Sequence, residues 1–307
     1  MRVFVTGASG WIGSAVTTEL IDAGHQVTGL ARSEESAAAV EALGADVLRG
    51  DIEDLDLLRR GARDADAVVH LAFRHDVAFR DGDFEAAVAS DRAAIEAIGG
   101  ELAGSDRPLA IASGVAGLRP GALATEEERP EPFPGSGGRI ENERTALALV
   151  DRGVRSMSVR FAPTVHGDGD GGFIKQIVEA DRGHGLAAYV GDGANRWAAV
   201  HRSDAARLVR LGIERAPAGS VLHAVAEEGV SMREIAEAIG EGLGIPAGAI
   251  GADAAPAHFG FLARFIAMDM PVSSAITREL LDWTPTGPGL VEDIAAGHYF
   301  AERALKY

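Results

Sequence analysis

A short apolar run, Val3-Phe4-Val5, ends at Gly7-Ala8-Ser9-Gly10-Trp11-Ile12-Gly13, and an amphipathic helix pattern follows at once. No other stretch restricts the fold as strongly. At this spacing Gly7 permits a tight turn, Gly10 lets the backbone approach a pyrophosphate, and Gly13 lets the helix pack against the strand. The helix N-terminus then offers unpaired N–H groups and a positive dipole end to that anion. The expected fold is α/β, a Rossmann-like doubly wound parallel sheet, with cofactor contacts from Gly7, Gly10, Trp11, Ile12 and Gly13. A strand-to-helix turn without a ligand is the competing reading.

Periodicity supports the same class. Short β-branched runs at Val3–Val5, Gln26–Leu30, Asp46–Leu48, Ala67–Leu71, Leu109–Ala112 and Ser156–Val159 alternate with helix patterns at Ser14–Ala23, Glu34–Leu43, Leu55–Arg60, Phe84–Leu102 and Ile140–Asp151. Gly24 and Gly44 stand where helix C-caps belong. Such alternation predicts a parallel sheet covered on both faces. Residues 1–165 are expected to form the dinucleotide-binding domain, completed by parts of 188–226. Residues 166–187 and 227–307 are expected to form a smaller, mostly C-terminal substrate lobe. The stretch Arg129–Gly138 reads as a surface loop.

Composition removes whole classes of function. The 307 residues contain no cysteine, which excludes disulfide scaffolds and thiol catalysis. With 29 basic and 46 acidic residues the net charge is −17, which repels nucleic acid and anionic membrane and leaves a small molecule as the expected partner. No run approaches the roughly 20 apolar residues of a membrane helix, and the N-terminal run is too short for a signal peptide, so a cytoplasmic location is expected. Only Lys175 and Lys306 are lysines, and only Tyr189, Tyr299 and Tyr307 are tyrosines.

The residues after the second strand select the adenosine ribose. An acidic residue there binds a free 2′-hydroxyl, whereas arginine accommodates a 2′-phosphate. The chain reads Ala31-Arg32-Ser33, which favours NADP over NAD through Arg32 and Ser33; a solvated Arg32 is the alternative.

Several segments together carry a family resemblance. Besides the three glycines, they are Gly50-Asp51-Ile52, His70-Leu71-Ala72-Phe73, Gly191-Asp192-Gly193, Val200-His201-Arg202-Ser203-Asp204 and Leu281-Asp282-Trp283-Thr284-Pro285. The chain resembles, over nearly its whole length, the extended or atypical short-chain dehydrogenases/reductases of the NAD-dependent epimerase/dehydratase type. The resemblance implies that Asp51 and Ile52 contact the adenine, that Leu71, Ala72 and Phe73 line the middle of the cofactor, and that Pro163 lies beside the nicotinamide. It also implies a homodimer through Phe84–Leu102 and Ile140–Asp151, unless those apolar faces are internal core.

The family's usual catalysis uses a tyrosine, a lysine four residues later, and a hydroxyl from the fifth strand. Here none of the tyrosines is followed by lysine at that spacing. With Glu143 as anchor, the tyrosine position falls on Gly135 and the lysine position on Arg139. Arg139 retains the donors to hold a ribose but cannot give up a proton. Ser113 is the best match to the hydroxyl, though the register is one residue loose, and an ordinary strand-end serine is the alternative. Candidates for the missing proton donor are His166, where the family often carries a tyrosine, and His75 or Asp76, which cluster with His70 after the fourth strand.

No metal is expected. The stretch Asp168-x-Asp170 with Glu179 resembles a calcium loop, but Phe173 stands where its glycine should be. The segments from Phe173 and Phe259 to Met270 read as pocket walls for a fairly apolar substrate. Three functions compete: an NADP-linked oxidoreductase acting on a carbonyl, imine or alcohol, a nucleotide-sugar epimerase or dehydratase, and a non-catalytic cofactor sensor or partner.

Overall fold

The computed structural model describes residues 1–116, 118–131 and 137–301. Its first half alternates strictly: β1 (Arg2–Thr6), α1 (Trp11–Asp22), β2 (Gln26–Ala31), α2 (Glu34–Ala42), β3 (Asp46–Arg49), α3 (Leu55–Asp64), β4 (Ala67–His70), α4 (Phe84–Leu102), β5 (Pro108–Gly114), α5 (Gly137–Ala148) and β6 (Arg155–Phe161). The second half continues with β7 (Thr164–His166), α6 (Phe173–His184), β8 (Ala187–Val190), β9 (Arg196–His201), α7 (Arg202–Arg215), β10 (Val221–Ala224), β11 (Glu227–Ser231), α8 (Met232–Leu243) and β12 (Ala247–Ile250). Short helices α9 (Ala255–Phe259), α10 (Ala263–Ile266), α11 (Ala275–Leu281) and α12 (Leu290–Ala295) complete it.

Seven strands form one parallel sheet in the order β3-β2-β1-β4-β5-β6-β10. The order reverses between β1 and β4, and the crevice for a ligand opens outside the carboxyl ends of those strands. Side chains alternate between two buried faces, as the parallel crossovers demand. Val3, Val5, Val69, Ala110 and Val159 pack with α1 and α7, while Phe4, Val68, Leu109 and Ile111 pack with α3, α4 and α5. Burying each such large side chain contributes roughly 1.5–3 kcal/mol. The apolar face of α4, including Ala94, Ile95, Ile98 and Leu102, is spent on this core.

Two boundaries differ from the sequence reading for clear reasons. Helix α1 begins at Trp11 instead of Ser14, because Gly10 is itself the N-cap, extended at ψ 177°. Helix α3 runs on to Asp64 because Gly61 sits flat against the Phe4 ring, where a Cβ would come within 2.7 Å.

The lobe has its own core around α6, α8, α9 and α12, with Ile174, Ile177, Trp197, Ile235, Ile239, Phe259 and Leu290 fully or nearly fully buried. It carries the sheet β11-β9-β7 and the pair β12-β8. One stretch assigned to the lobe by sequence belongs elsewhere. Val272, Leu281 and Trp283 pack into the main sheet's core, and the Trp283 indole N–H donates to the Asp204 carbonyl at 3.1 Å. The Asp204 carboxylate, at the start of α7, accepts the backbone N–H groups of Thr286 and Gly287 at 2.9 and 2.8 Å. Among the described residues, no helix is long and apolar enough to cross a membrane.

Candidate active site

The glycine turn is built around absent side chains. Gly7 has φ +72°, and a Cβ on it would press to 2.9 Å from the Ala72 nitrogen. A Cβ on Gly13 would lie 1.9 Å from the Gly7 carbonyl oxygen, so α1 can approach β1 only through glycine here. The N-cap Gly10 offers no side-chain hydrogen bond, and the first turn of α1 holds no acidic residue. Its N–H groups and positive end are thus open to an anion, which fits the pyrophosphate of a dinucleotide. The Trp11 ring turns aside: its indole N–H donates to the Val165 carbonyl at 2.7 Å and the Arg202 guanidinium lies 3.8 Å over it. Ile12 packs half-buried against the α1 face of the core.

On one side of the turn, a buried polar chain leads from β1 to α5. The Thr6 hydroxyl accepts the Ala72 N–H at 3.2 Å and meets His70 Nδ1 at 2.8 Å, while His70 Nε2 meets Asp91 Oδ1 at 3.2 Å. A tautomer with hydrogen on Nε2 satisfies every member, the Thr6 hydroxyl donating to Nδ1. Asp91 also accepts from Asn142 Nδ2 at 2.7 Å. Burial opposes the charge on Asp91, but His70, Arg139 and Asn142 together hold its carboxyl below the usual range. Arg139 completes the set. Its Nη2 donates to the Ala112 carbonyl at 3.0 Å, its Nη1 is 3.8 Å from Asp91 Oδ2, and its guanidinium lies 4.4 Å over the Phe73 ring.

One helical turn after Arg139, Glu143 pairs inside the protein with Arg160 of β6, whose side chain has no exposed surface. Burial raises the Glu143 carboxyl, but Arg160 outweighs it and the Ser113 hydroxyl acts in the same direction, so the carboxyl stays low. Ser113 therefore turns toward Glu143 at the end of β5, beside the carbonyl that Arg139 holds. The structure brings together Ser113, Arg139, Phe73 and His75, the last with its ring 5.1 Å from that of Phe73. His75 is exposed at the rim, yet desolvation by its neighbours and then the Arg139 charge lower its pKa.

Two candidate proton donors fall away. Asp76 stands after β4, its carboxylate held by Arg32 Nη1 at 2.8 Å and Arg74 Nε at 3.1 Å. Burial would raise this carboxyl, but those two guanidiniums hold it far below the usual range, so it has no proton to give. His166 is fully buried in β7, with Nδ1 3.0 Å from Asp293 Oδ2 in α12 and Nε2 enclosed without a partner. An imidazole sealed between domain and lobe cannot reach a substrate, so His166 belongs to the seam. Pro163, half-buried, lies between β6 and β7.

After β2, Arg32 is over half exposed, and Ser33 caps α2, its hydroxyl accepting the Ser36 N–H at 3.1 Å. That capping duty explains Ser33 without a ligand. Asp51 is half-buried, 3.7 Å from Arg74, and Ile52 is buried in the core below. Leu71 and Ala72 are half-buried where β4 leaves the sheet. Arg74, Asp91 and Asn142 escaped sequence reading because no motif marks them; only the fold brings them to the crevice. In the lobe, the half-buried Phe173 stacks on Phe265 at 5.6 Å and lies 5.7 Å from Trp197, which is sealed in the lobe's core.

Neither tyrosine among the described residues replaces the usual acid. Tyr189 sits under Arg233 in β8, and the buried Tyr299 hydroxyl donates to Asp170 Oδ2 at 2.9 Å, with burial and Asp170 raising its pKa. Gly135 and Tyr307 lie outside the described residues. Asp170 also accepts the Gly172 N–H at 2.6 Å, a loop-closing role, and the described residues contain no cluster of three or more metal-ligating side chains.

Comparison with known proteins agrees with this geometry. The model of the NAD dependent epimerase/dehydratase family matches residues 3–98. The uncharacterized protein C2A9.02 of Schizosaccharomyces pombe is 44% identical over 98% of this chain and 100% of its own length. A 4-hydroxy-2-methyl-3-oxo-4-farnesyl-3,4-dihydroquinoline-1-oxide ketoreductase of Stigmatella aurantiaca is 29% identical, covering 80% of this chain and 75% of its own. Among solved structures, the dTDP-glucose 4,6-dehydratase DesIV from Streptomyces venezuelae, with NAD and TYD bound, superposes at a TM-score of 0.78, with 20% identity over 98% of this chain and 97% of that one. With its glycine turn, its β1/β4 crevice and its full-length relatives, the chain belongs to the NAD dependent epimerase/dehydratase family.

Proposed function

We propose that the protein is an NADP-linked reductase of a ketone or related carbonyl on a small, apolar molecule. The observation that carries this reading is the placement of Arg139, held by the Ala112 carbonyl, Phe73 and Asp91 at the mouth of the crevice. A bound nicotinamide supplies the hydride. Arg139 donates to the cofactor ribose, and its fixed charge stabilises the negative oxygen that develops on the substrate. Ser113 orients that oxygen from the end of β5. His75 at the rim, in place of the missing tyrosine, delivers the proton directly or through water.

Arg32 after β2 supports NADP. The half-buried stack of Phe173 on Phe265 supports an apolar substrate, as does the likeness to a ketoreductase acting on a farnesyl-bearing ring. The test combines two measurements: NADPH binding by fluorescence, and NADPH oxidation against alkyl and prenyl ketones, aldehydes and imines. Oxidation confined to one carbonyl class is expected. Tight binding without turnover across the panel would replace this reading with that of a cofactor sensor.

A further inference from the structure

Arg32 and Arg74 converge on one carboxylate from different strands. Arg32 follows β2 and reaches Asp76 Oδ2 with Nη1 at 2.8 Å; Arg74 follows β4 and reaches Asp76 Oδ1 with Nε at 3.1 Å. Each oxygen of Asp76 thus has its own guanidinium. Because β1 lies between β2 and β4, the Arg32 bridge to Asp76 has to pass across the carboxyl end of β1, above the crevice. Arg74 Nη1 also lies 3.0 Å from Glu53 and 3.7 Å from Asp51, just after β3. The segments after β2, β3 and β4, which wall the adenosine end of the crevice, are therefore tied into one charged clasp.

A carboxylate gripped by two guanidinium forks occupies the place of an oxyanion. We infer that Asp76 is a built-in stand-in for the 2′-phosphate of an adenosine cofactor, and that Arg74 with Arg32 forms the phosphate's site once it displaces that carboxylate. The inference rests on the NADP reading above and deepens it from one arginine to an exchange of anions between two. A phosphate monoester brings more oxygens and nearly twice the charge of a carboxylate, so it competes well for the same pair. Asp76 stays ionised, because the two guanidiniums outweigh its burial, and it remains a rival anion at neutral pH. A cofactor without the 2′-phosphate brings nothing to exchange. Discrimination then comes from the swap itself.

Calorimetric titration with adenosine 2′,5′-bisphosphate and with 5′-AMP isolates the extra phosphate without any turnover. The wild type is expected to bind the bisphosphate at least about tenfold more tightly, the size of a charge-assisted hydrogen bond. Arg74→Gln should remove about tenfold of that ratio with 5′-AMP affinity nearly unchanged, and Arg74→Lys should recover part of it. Asp76→Asn should raise the ratio several-fold, about three- to tenfold, because the rival anion is gone. All three side chains lie at the surface of the crevice, and thermal unfolding of each variant confirms the fold. A wild type that prefers 5′-AMP overturns both the NADP reading and this inference. A preference for the bisphosphate that survives Arg74→Gln overturns the inference alone, as does a ratio that falls in Asp76→Asn.

Discussion

At one end of the crevice Arg32, Arg74 and Asp76 meet from loops with part of each side chain in water, whereas at the other end Thr6, His70, Asp91 and Asn142 meet buried between the sheet and helices α4 and α5. Water can replace any partner lost at the first end. At the second it cannot, and each lost partner leaves a buried polar group unmet. The ends therefore suit the two tasks proposed for them: the first can exchange partners as ligands come and go, and the second holds Arg139 still.

The largest way to break this contrast is to remove what both ends share. Gly13→Ala drives a Cβ into the Gly7 carbonyl, so NADPH affinity is expected to fall by more than about 100-fold in a fluorescence titration, with loss of stability, because the turn itself cannot close. Next comes a matched pair of deletions. Asp91→Ala should cost about 3–5 kcal/mol in urea unfolding, since it strands a buried charge network, while Asp76→Ala should cost less than about 1 kcal/mol. Equal costs would erase the distinction between the ends.

Arg139→Ala sharpens the contrast in kinetics. Turnover should fall about 100-fold with NADPH affinity weakened far less, and Arg139→Lys should restore a large part. A pH profile adds a sign. The pKa of His75 is lowered first by desolvation and then by the Arg139 charge, so its protonated form is lost on rising from acid pH below the ordinary value of about 6.5. Turnover should fall over that window, and in Arg139→Ala the residual activity should fall at a higher pH. A profile that ignores both Arg139→Ala and His75→Ala removes His75 as donor. The smallest effect is Ser33→Ala: about 1 kcal/mol of stability from the lost cap, with the NADP preference intact.

Legibility follows the same division. The glycine turn and the alternating strands could be read because each is set by neighbours in sequence: Gly13 must be glycine whatever the remote fold does. The parallel sheet followed from that; Arg139 was reached differently, through the family resemblance, counted from Glu143. What could not be read depends on which strands lie side by side. Arg74 and Asp91 look like ordinary surface and helix residues until β4 is placed beside β1. His166 misled for a related reason, since its neighbour in space, Asp293, is far away along the chain and faces a buried seam. The tail around Trp283 was assigned to the lobe by proximity in sequence, yet Asp204 draws it back to the main sheet.

The buried Arg160–Glu143 pair has a consequence for how such a protein can change over generations. Exchanging both for methionine and leucine of similar bulk is expected to leave the fold as stable or more so, because desolvating two charges costs about as much as their attraction returns. The helix would then lose one of its anchors, leaving Asn142, bonded to α4, to hold it, and Arg139, one turn away, would sit less firmly against the Ala112 carbonyl. Selection for stability at ordinary temperature alone would not keep the pair. The catalytic geometry would erode unnoticed, and only a screen for turnover would keep the pair.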